Sequence, residues 1–79
     1  MTTYKINITG KVQGVWYRAS AKDKALELGL TGKVWNEVDG AVGAIAQGAE
    51  DKIMQFIRWC KQGPPLAKVE SVDYKEIDD

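Results

Sequence analysis

Apolar and polar residues alternate at the start of the chain. Tyr4, Ile6 and Ile8 are separated by single polar residues, and this period of two predicts a strand with one buried face. A loop that contains Gly14 is predicted to follow, over Lys11 to Trp16. The first strand therefore leads directly into a glycine-containing loop.

The apolar spacing changes to that of a helix after this loop. One helical face carries Tyr17, Ala21, Ala25 and Leu28, with charged residues on the other side, which is typical of a helix packed on a core. Gly29 is suited to the left-handed conformation that commonly ends a helix. We therefore predict a helix that begins at the end of the loop and stops near Gly29.

The rest of the chain predicts three further strands and a second helix. In order, the pattern indicates a strand over Thr31 to Trp35, a turn over Asn36 to Gly40, a strand over Val42 to Ala46, a helix with the apolar stripe Ile53, Phe56, Ile57 and Cys60, and a strand over Ala67 to Glu76. The stripe predicts that Cys60 is a small buried hydrophobe rather than a redox thiol. A shift of apolar phase between Val69 and Val72 predicts a bulge or twist in the last strand.

The predicted order of elements is β-α-β-β-α-β, in one domain over residues 1–79. Two right-handed crossover units of this kind give an antiparallel sheet with both helices on one face. We therefore predict an α+β fold, the ferredoxin-like two-layer sandwich. This fold hosts many unrelated activities, so it does not indicate a function by itself.

Three features of the composition exclude classes of function. The chain has no histidine, which removes serine–histidine and cysteine–histidine catalysis and most zinc sites. Eleven basic residues balance eleven acidic ones, so no overall field attracts nucleic acid or a membrane surface. Cys60 is the single cysteine, and a small chain without an internal disulfide is expected in the cytoplasm. An enzyme of this composition has to work by positioning and electrostatics.

The segment between the first strand and the first helix is the best candidate for a binding site. Gly10 to Trp16 precedes a helix N-terminus, where successive backbone N–H groups can converge on one anion. Arg18 falls in the first helical turn, and its planar guanidinium can donate to two phosphate oxygens at once. A glycine turn followed by a surface arginine has the same pattern, so the residues alone leave both interpretations open.

Several motifs in a fixed order resemble those of the acylphosphatase family. Residues 10–18, GKVQGVWYR, resemble the family signature G-x-V-Q-G-V-x-[FY]-R. Residues 25–36, ALELGLTGKVWN, resemble A-x-x-L-G-L-x-G-x-V-x-N. Residues 39–42, DGAV, resemble the family's D-G-x-V motif, and residues 63–64 resemble its G-P motif. The resemblance covers about residues 4–74, nearly the whole chain.

This resemblance implies hydrolysis of acyl phosphates to a carboxylate and inorganic phosphate by direct attack of water, without a metal or cofactor. Arg18 matches the family's phosphate-binding arginine, and Asn36 matches its asparagine that orients the water. The loop whose amides cradle the phosphate corresponds to Lys11, Val12, Gln13, Gly14 and Val15. We expect a monomer whose partners are small-molecule acyl phosphates and inorganic phosphate.

One departure from the family pattern leaves a second function open. Relatives usually continue past the fourth strand into a short terminal strand, whereas this sequence stops at Asp79. The sheet could therefore lack that strand and have an unpaired edge. The alternative function is an acylphosphatase-like domain that binds phosphate or a partner with little turnover. RNA binding is not expected, because the third predicted strand carries no aromatic platform.

Overall fold

The computed structural model describes residues 1–77. The elements are β1 (Thr2–Lys11), α1 (Tyr17–Glu27), β2 (Thr31–Asn36), β3 (Val42–Gly48), α2 (Glu50–Gln62) and β4 (Lys68–Glu76). Every neighbouring pair of strands is antiparallel, in the order β2-β3-β1-β4. The predicted α+β ferredoxin-like sandwich is confirmed.

One face of the sheet carries the core. Ile6 and Ile8 of β1 stand opposite Ala44 and Val42 of β3, and directly opposed side chains on antiparallel strands point to the same face. Both helices cover this face with buried apolar side chains, namely Tyr17, Ala21, Ile53, Phe56, Ile57 and Cys60. The apolar residues that alternate along the strands and those that share one face of each helix thus form a single core between the sheet and the helices.

The predicted irregularity in the last strand is a register shift. Thr9 of β1 pairs with Ser71, but the next residue, Gly10, pairs with Val69. The skipped residue Glu70 forms a bulge, which brings Val69 onto the same sheet face as Val72. Both valines then pack against the core, although two residues lie between them in the sequence, a spacing that would put them on opposite faces of a regular strand.

At their C-terminal ends, β1 and β2 each extend one residue further than their patterns predict. Lys11 was expected in the loop but ends β1, where it pairs with Lys68 of β4. Asn36 was expected in the turn but ends β2, opposite Val42 of β3. In each case, hydrogen bonding to a neighbouring strand continues past the last residue whose side chain follows the alternation.

The topology brings three chain segments to one edge of the sheet. Because β1 and β2 both run antiparallel to β3, their C-terminal ends lie at the same edge. Since α1 follows β1 after a short loop, its N-terminus lies at this edge too. Among residues 1–77, no helix is long and apolar enough to cross a membrane.

Candidate active site

The loop between β1 and α1 is anchored in the core by two valines. Val12 is 1% exposed and Val15 is 5% exposed, whereas Gly14 between them lies at the surface and Gln13 is half-buried. Burial of these two side chains holds the loop against the protein. Its backbone is therefore fixed before any ligand arrives.

Two residues of this loop have a left-handed backbone. Gly14 has φ 74°, and Trp16 has φ 66° and is the one non-glycine residue with positive φ in the described part of the chain. Val15 lies between them with negative φ, and such an alternation turns successive N–H groups toward one concave surface. A Cβ on Gly14 would meet no atom within 4 Å. Its left-handed conformation, rather than close packing, therefore explains the glycine.

The first turn of α1 has no internal partner for its donors. Trp16 occupies the N-cap position without a side-chain cap, and the first turn carries no acidic residue. The first backbone hydrogen bond at this helix end runs from the Ser20 N–H to the Trp16 carbonyl, at 3.0 Å. Within residues 1–77, the N–H groups of residues 13–18 have no acceptor. Together with the helix dipole, they form an electropositive concavity.

Arg18 lies in this first turn, as predicted. Its side chain is exposed, and it takes part in no hydrogen bond or ion pair with another described residue; the ion pair found in residues 1–77 joins Lys24 to Glu27, at 2.7 Å. Arg18 also lines a cleft of about 530 Å³ between α1 and strands β2 and β3. The loop residues and Asn36 do not line that cleft, so the cleft shares only Arg18 with the predicted site.

Asn36 faces the helical layer. It stands opposite Val42, which is completely buried beneath the helices, and opposed residues share a face. The Asn36 side chain therefore projects on the same side of the sheet as α1, at the edge where α1 begins. It is exposed and makes no hydrogen bond to another described residue. The structure thus brings Asn36 and the glycine loop to one edge.

The Gln13 side chain joins these two parts of the site. Its Nε2 atom donates to the carbonyl of Glu37 at 2.8 Å and to that of Ala41 at 2.9 Å. Both acceptors belong to the turn that follows Asn36. The sequence predicts Gln13 in the phosphate loop but does not predict this contact. No local pattern signals it, because the acceptors are backbone carbonyls 24 and 28 residues away.

The Trp35 side chain lies on the sheet face opposite to that of Asn36. Strand residues alternate between faces, so Trp35 points away from the helices while Asn36 points toward them. The indole covers Gly43 so closely that a Cβ there would lie 2.6 Å from a ring atom. Its Nε1 donates to Glu37 Oε1, at 2.6 Å. Trp35 therefore supports the Asn36 turn from the opposite sheet face.

Cys60 is buried, as predicted, and has no nucleophilic character. Its side chain is completely inaccessible, and burial raises the pKa of its thiol from 9.0 to about 12. A thiol that stays protonated at neutral pH is a poor nucleophile. Nor do residues 1–77 contain a group of three or more His, Cys, Asp or Glu residues that could hold a metal ion.

Comparison with known proteins gives a consistent result. The sequence profile described as "Acylphosphatase" matches residues 4–79. A protein named acylphosphatase from Methylococcus capsulatus (strain Bath) is 48% identical over 77 residues, which cover 98% of this chain and 84% of that protein.

Two solved structures are similar to the whole chain. An acylphosphatase from Coxiella burnetii superposes with a TM-score of 0.95 at 44% identity, over 98% of this chain and 81% of that one. The acylphosphatase from Bacillus subtilis superposes with a TM-score of 0.96 at 34% identity, over 100% of this chain and 88% of that one.

Proposed function

The chain belongs to the acylphosphatase family, and on this premise we propose that Arg18 and the glycine loop hold the phosphate while Asn36 places the attacking water. Its activity is that of an acylphosphatase, the hydrolysis of a carboxyl-phosphate anhydride. The observation that carries the residue assignment is the set of unpaired N–H groups from residue 13 to residue 18, directly beside an unpaired guanidinium.

Phosphate binding follows from the donors present. The N–H groups of Gln13, Gly14 and Val15 belong to the concave loop, and a phosphate there accepts their hydrogen bonds without displacing any internal partner. Arg18 adds a planar pair of donors to two phosphate oxygens. The N–H of Val12 and the strand-end residue Lys11 complete the proposed phosphate site at its β1 side.

The chemical step needs little more than positioning. The water oxygen forms a bond to phosphorus, the bond from phosphorus to the acyl oxygen breaks, and the electron pair leaves with the carboxylate. The water proton passes to a phosphate oxygen. Arg18 and the loop amides stabilise the charge on the transferring phosphoryl group, and preorganised donors of this kind are worth on the order of 10²–10³ in rate each.

Asn36 is suited to hold the water because it carries a donor and an acceptor on one short side chain. Its amide accepts from the water or donates to its lone pair, and either contact restricts the approach to phosphorus. The proposal requires no metal and no cofactor. The chain has no histidine, and residues 1–77 lack a cluster of metal ligands, so direct attack is the chemistry that these side chains support.

Release of phosphate from acetyl phosphate or benzoyl phosphate tests this function. Hydrolysis is expected at the same rate with and without EDTA, with competitive inhibition by inorganic phosphate. Activity that disappears with the chelator and returns with Mg²⁺ would refute the metal-free mechanism. Binding of inorganic phosphate without any turnover would instead support the second candidate, a phosphate-binding domain of the same family.

The same proposal includes the setting in which the protein works. Residues 1–79 act as a single domain and as a monomer, because the proposed donors all come from one chain. The partners are small acyl phosphates and inorganic phosphate, without nucleic acid or membrane, and the location is the cytoplasm. Sedimentation at the concentration of the activity assay tests the monomer.

A further inference from the structure

Gln13 bonds to both ends of a tight turn. Within that turn, the Gly40 N–H donates to the Glu37 carbonyl at 3.2 Å, and the Glu37 N–H donates to the Ala41 carbonyl at 2.8 Å. The Gln13 side-chain amide donates to the same two carbonyls, at 2.8 and 2.9 Å. Each carbonyl therefore accepts one hydrogen bond from its own turn and one from the glycine loop.

The side chain of Gln13 has no donor left for a phosphate. A glutamine amide carries two N–H hydrogens, and the two carbonyls account for both. The remaining polar atom, Oε1, is an acceptor, which repels an anion. The Gln13 backbone N–H can serve the phosphate loop, but its side chain has a different task.

That task is set by the position of the turn. Glu37 follows Asn36 directly, so a bond that holds the Glu37 carbonyl also limits where the Asn36 side chain can lie. The other end of the same side chain is attached to the loop that cradles the phosphate in the proposed function. The two segments are also joined through the sheet, by β3 between β1 and β2, and through α1, which packs against β2, but Gln13 is the side chain that hydrogen-bonds from the loop to the turn.

We propose that Gln13 is a positioning residue, which sets the distance between the water held by Asn36 and the phosphorus held by the loop and Arg18. This inference rests on the proposed function. A displacement of about 1 Å between a nucleophile and its target can lower a rate about 10²-fold. Gln13 therefore acts on turnover through Asn36, and not on the affinity for phosphate.

The experiment is a double-mutant cycle between Gln13 and Asn36. Methionine matches glutamine in length but has no donor, so Gln13→Met is expected to lower kcat at least about tenfold, with an unchanged inhibition constant for inorganic phosphate. In the Asn36→Ala background, the same change is expected to lower kcat by less than about twofold more, because the water is no longer held.

Two further variants keep the test independent of folding. Gln62→Met makes the same chemical change at an exposed position on the last turn of α2, and is expected to leave kcat unaltered. Gln13→Asn keeps the amide but shortens it by one methylene, so that it no longer reaches both carbonyls, and is expected to share the loss of kcat. It replaces Gln13→Met if the unfolding midpoint of that variant falls below the assay temperature.

The outcomes separate this inference from the function on which it rests. A normal rate from Asn36→Ala would refute the proposed role of the asparagine. A slow Asn36→Ala combined with a normal rate from Gln13→Met or Gln13→Asn would refute the inference alone. Additive losses of kcat, or an inhibition constant for phosphate that rises as kcat falls, would also overturn it, since they would make Gln13 a support of the phosphate loop.

Discussion

The Tyr17 hydroxyl donates to the backbone carbonyl of Cys60, at 2.7 Å and out of contact with solvent. That carbonyl would bond the N–H four residues later in a continuing helix, but the residue there is Pro64, which has no N–H. The hydroxyl thus satisfies a helix-end carbonyl that its own helix leaves unpaired. Because Arg18 follows Tyr17 directly, the bond also fixes the start of the helix that carries the arginine.

Removal of this hydroxyl is expected to destabilise the protein. Tyr17→Phe keeps the ring, which packs against Trp59 with centroids 5.5 Å apart, but leaves a buried carbonyl without a donor. The free energy of unfolding should fall by about 1–3 kcal/mol, with a melting temperature lower by at least ~4 °C. Urea unfolding measures the free energy and thermal unfolding the melting temperature. Tyr74→Phe, at an exposed tyrosine, should change both quantities little. An unaltered melting temperature for Tyr17→Phe would contradict the assigned bond.

Substitution of Arg18 is expected to remove phosphate binding without unfolding the domain. Its guanidinium is exposed and has no partner within residues 1–77, so Arg18→Ala costs little stability. Arg18→Lys should recover little activity, because a point charge does not reproduce two parallel donors. The rate of acyl phosphate hydrolysis and the inhibition constant for phosphate measure both effects. Arg58→Lys, at an exposed arginine on α2, is the matched control, and a near-normal rate from Arg18→Lys would show that the planar geometry has no role.

Substitution of Asn36 is expected to affect turnover alone. If this side chain orients water, Asn36→Ala should lower kcat by at least ~10², while inhibition by phosphate stays the same because other donors hold the anion. Asn7→Ala, on the sheet face away from the helices, should leave both quantities unchanged. Parallel loss of phosphate affinity in Asn36→Ala would instead make the asparagine a ligand of the anion.

The left-handed backbone of Trp16 predicts that asparagine is tolerated better than valine at this position. The side chain is 77% exposed, so its removal costs little burial. Asparagine tolerates the left-handed conformation, whereas a β-branched residue does not. Trp16→Val should therefore be less stable than Trp16→Asn by about 1–2 kcal/mol in urea unfolding.

The control introduces valine and asparagine at a position whose backbone is right-handed. Leu26→Val and Leu26→Asn, at an exposed position within α1, should differ by only a few tenths of a kcal/mol, because their helix propensities are similar. Equal stability of the two Trp16 variants would mean that the residue is not held left-handed in solution.

Burial of Cys60 predicts a loss of stability at alkaline pH. The thiol pKa is raised from 9.0 to about 12 by burial, so between these values the folded protein binds more protons at this group than the unfolded chain does. The free energy of unfolding therefore falls as the pH rises from about 9 to about 12. Cys60→Ala should reduce this slope, as measured by urea unfolding at each pH. An identical slope in the variant would mean that the thiol is not protected by the fold.

The sequence alone was sufficient for the six elements, their order and the position of the glycine-containing loop between β1 and α1. Each of these depends on the spacing of apolar residues or on a glycine within one short segment. The spacing within such a segment indicates which of its side chains are buried. The bulge near Val69 is of this kind, because its change of apolar phase is visible without any partner strand. The family signature added roles for Arg18 and Asn36, which remain predictions until the variants above are measured.

Only the tertiary structure decided which segments meet and from which side. Lys11 and Asn36 belong to strands because Lys68 and Val42 stand opposite them, and Trp35 points away from the site because of the register between β2 and β3. The bond between Gln13 and the turn spans 24 residues, and the bond between Tyr17 and Cys60 spans 43. Their acceptors are backbone carbonyls, which are the same for every residue type, so no choice of side chain along the chain could signal them.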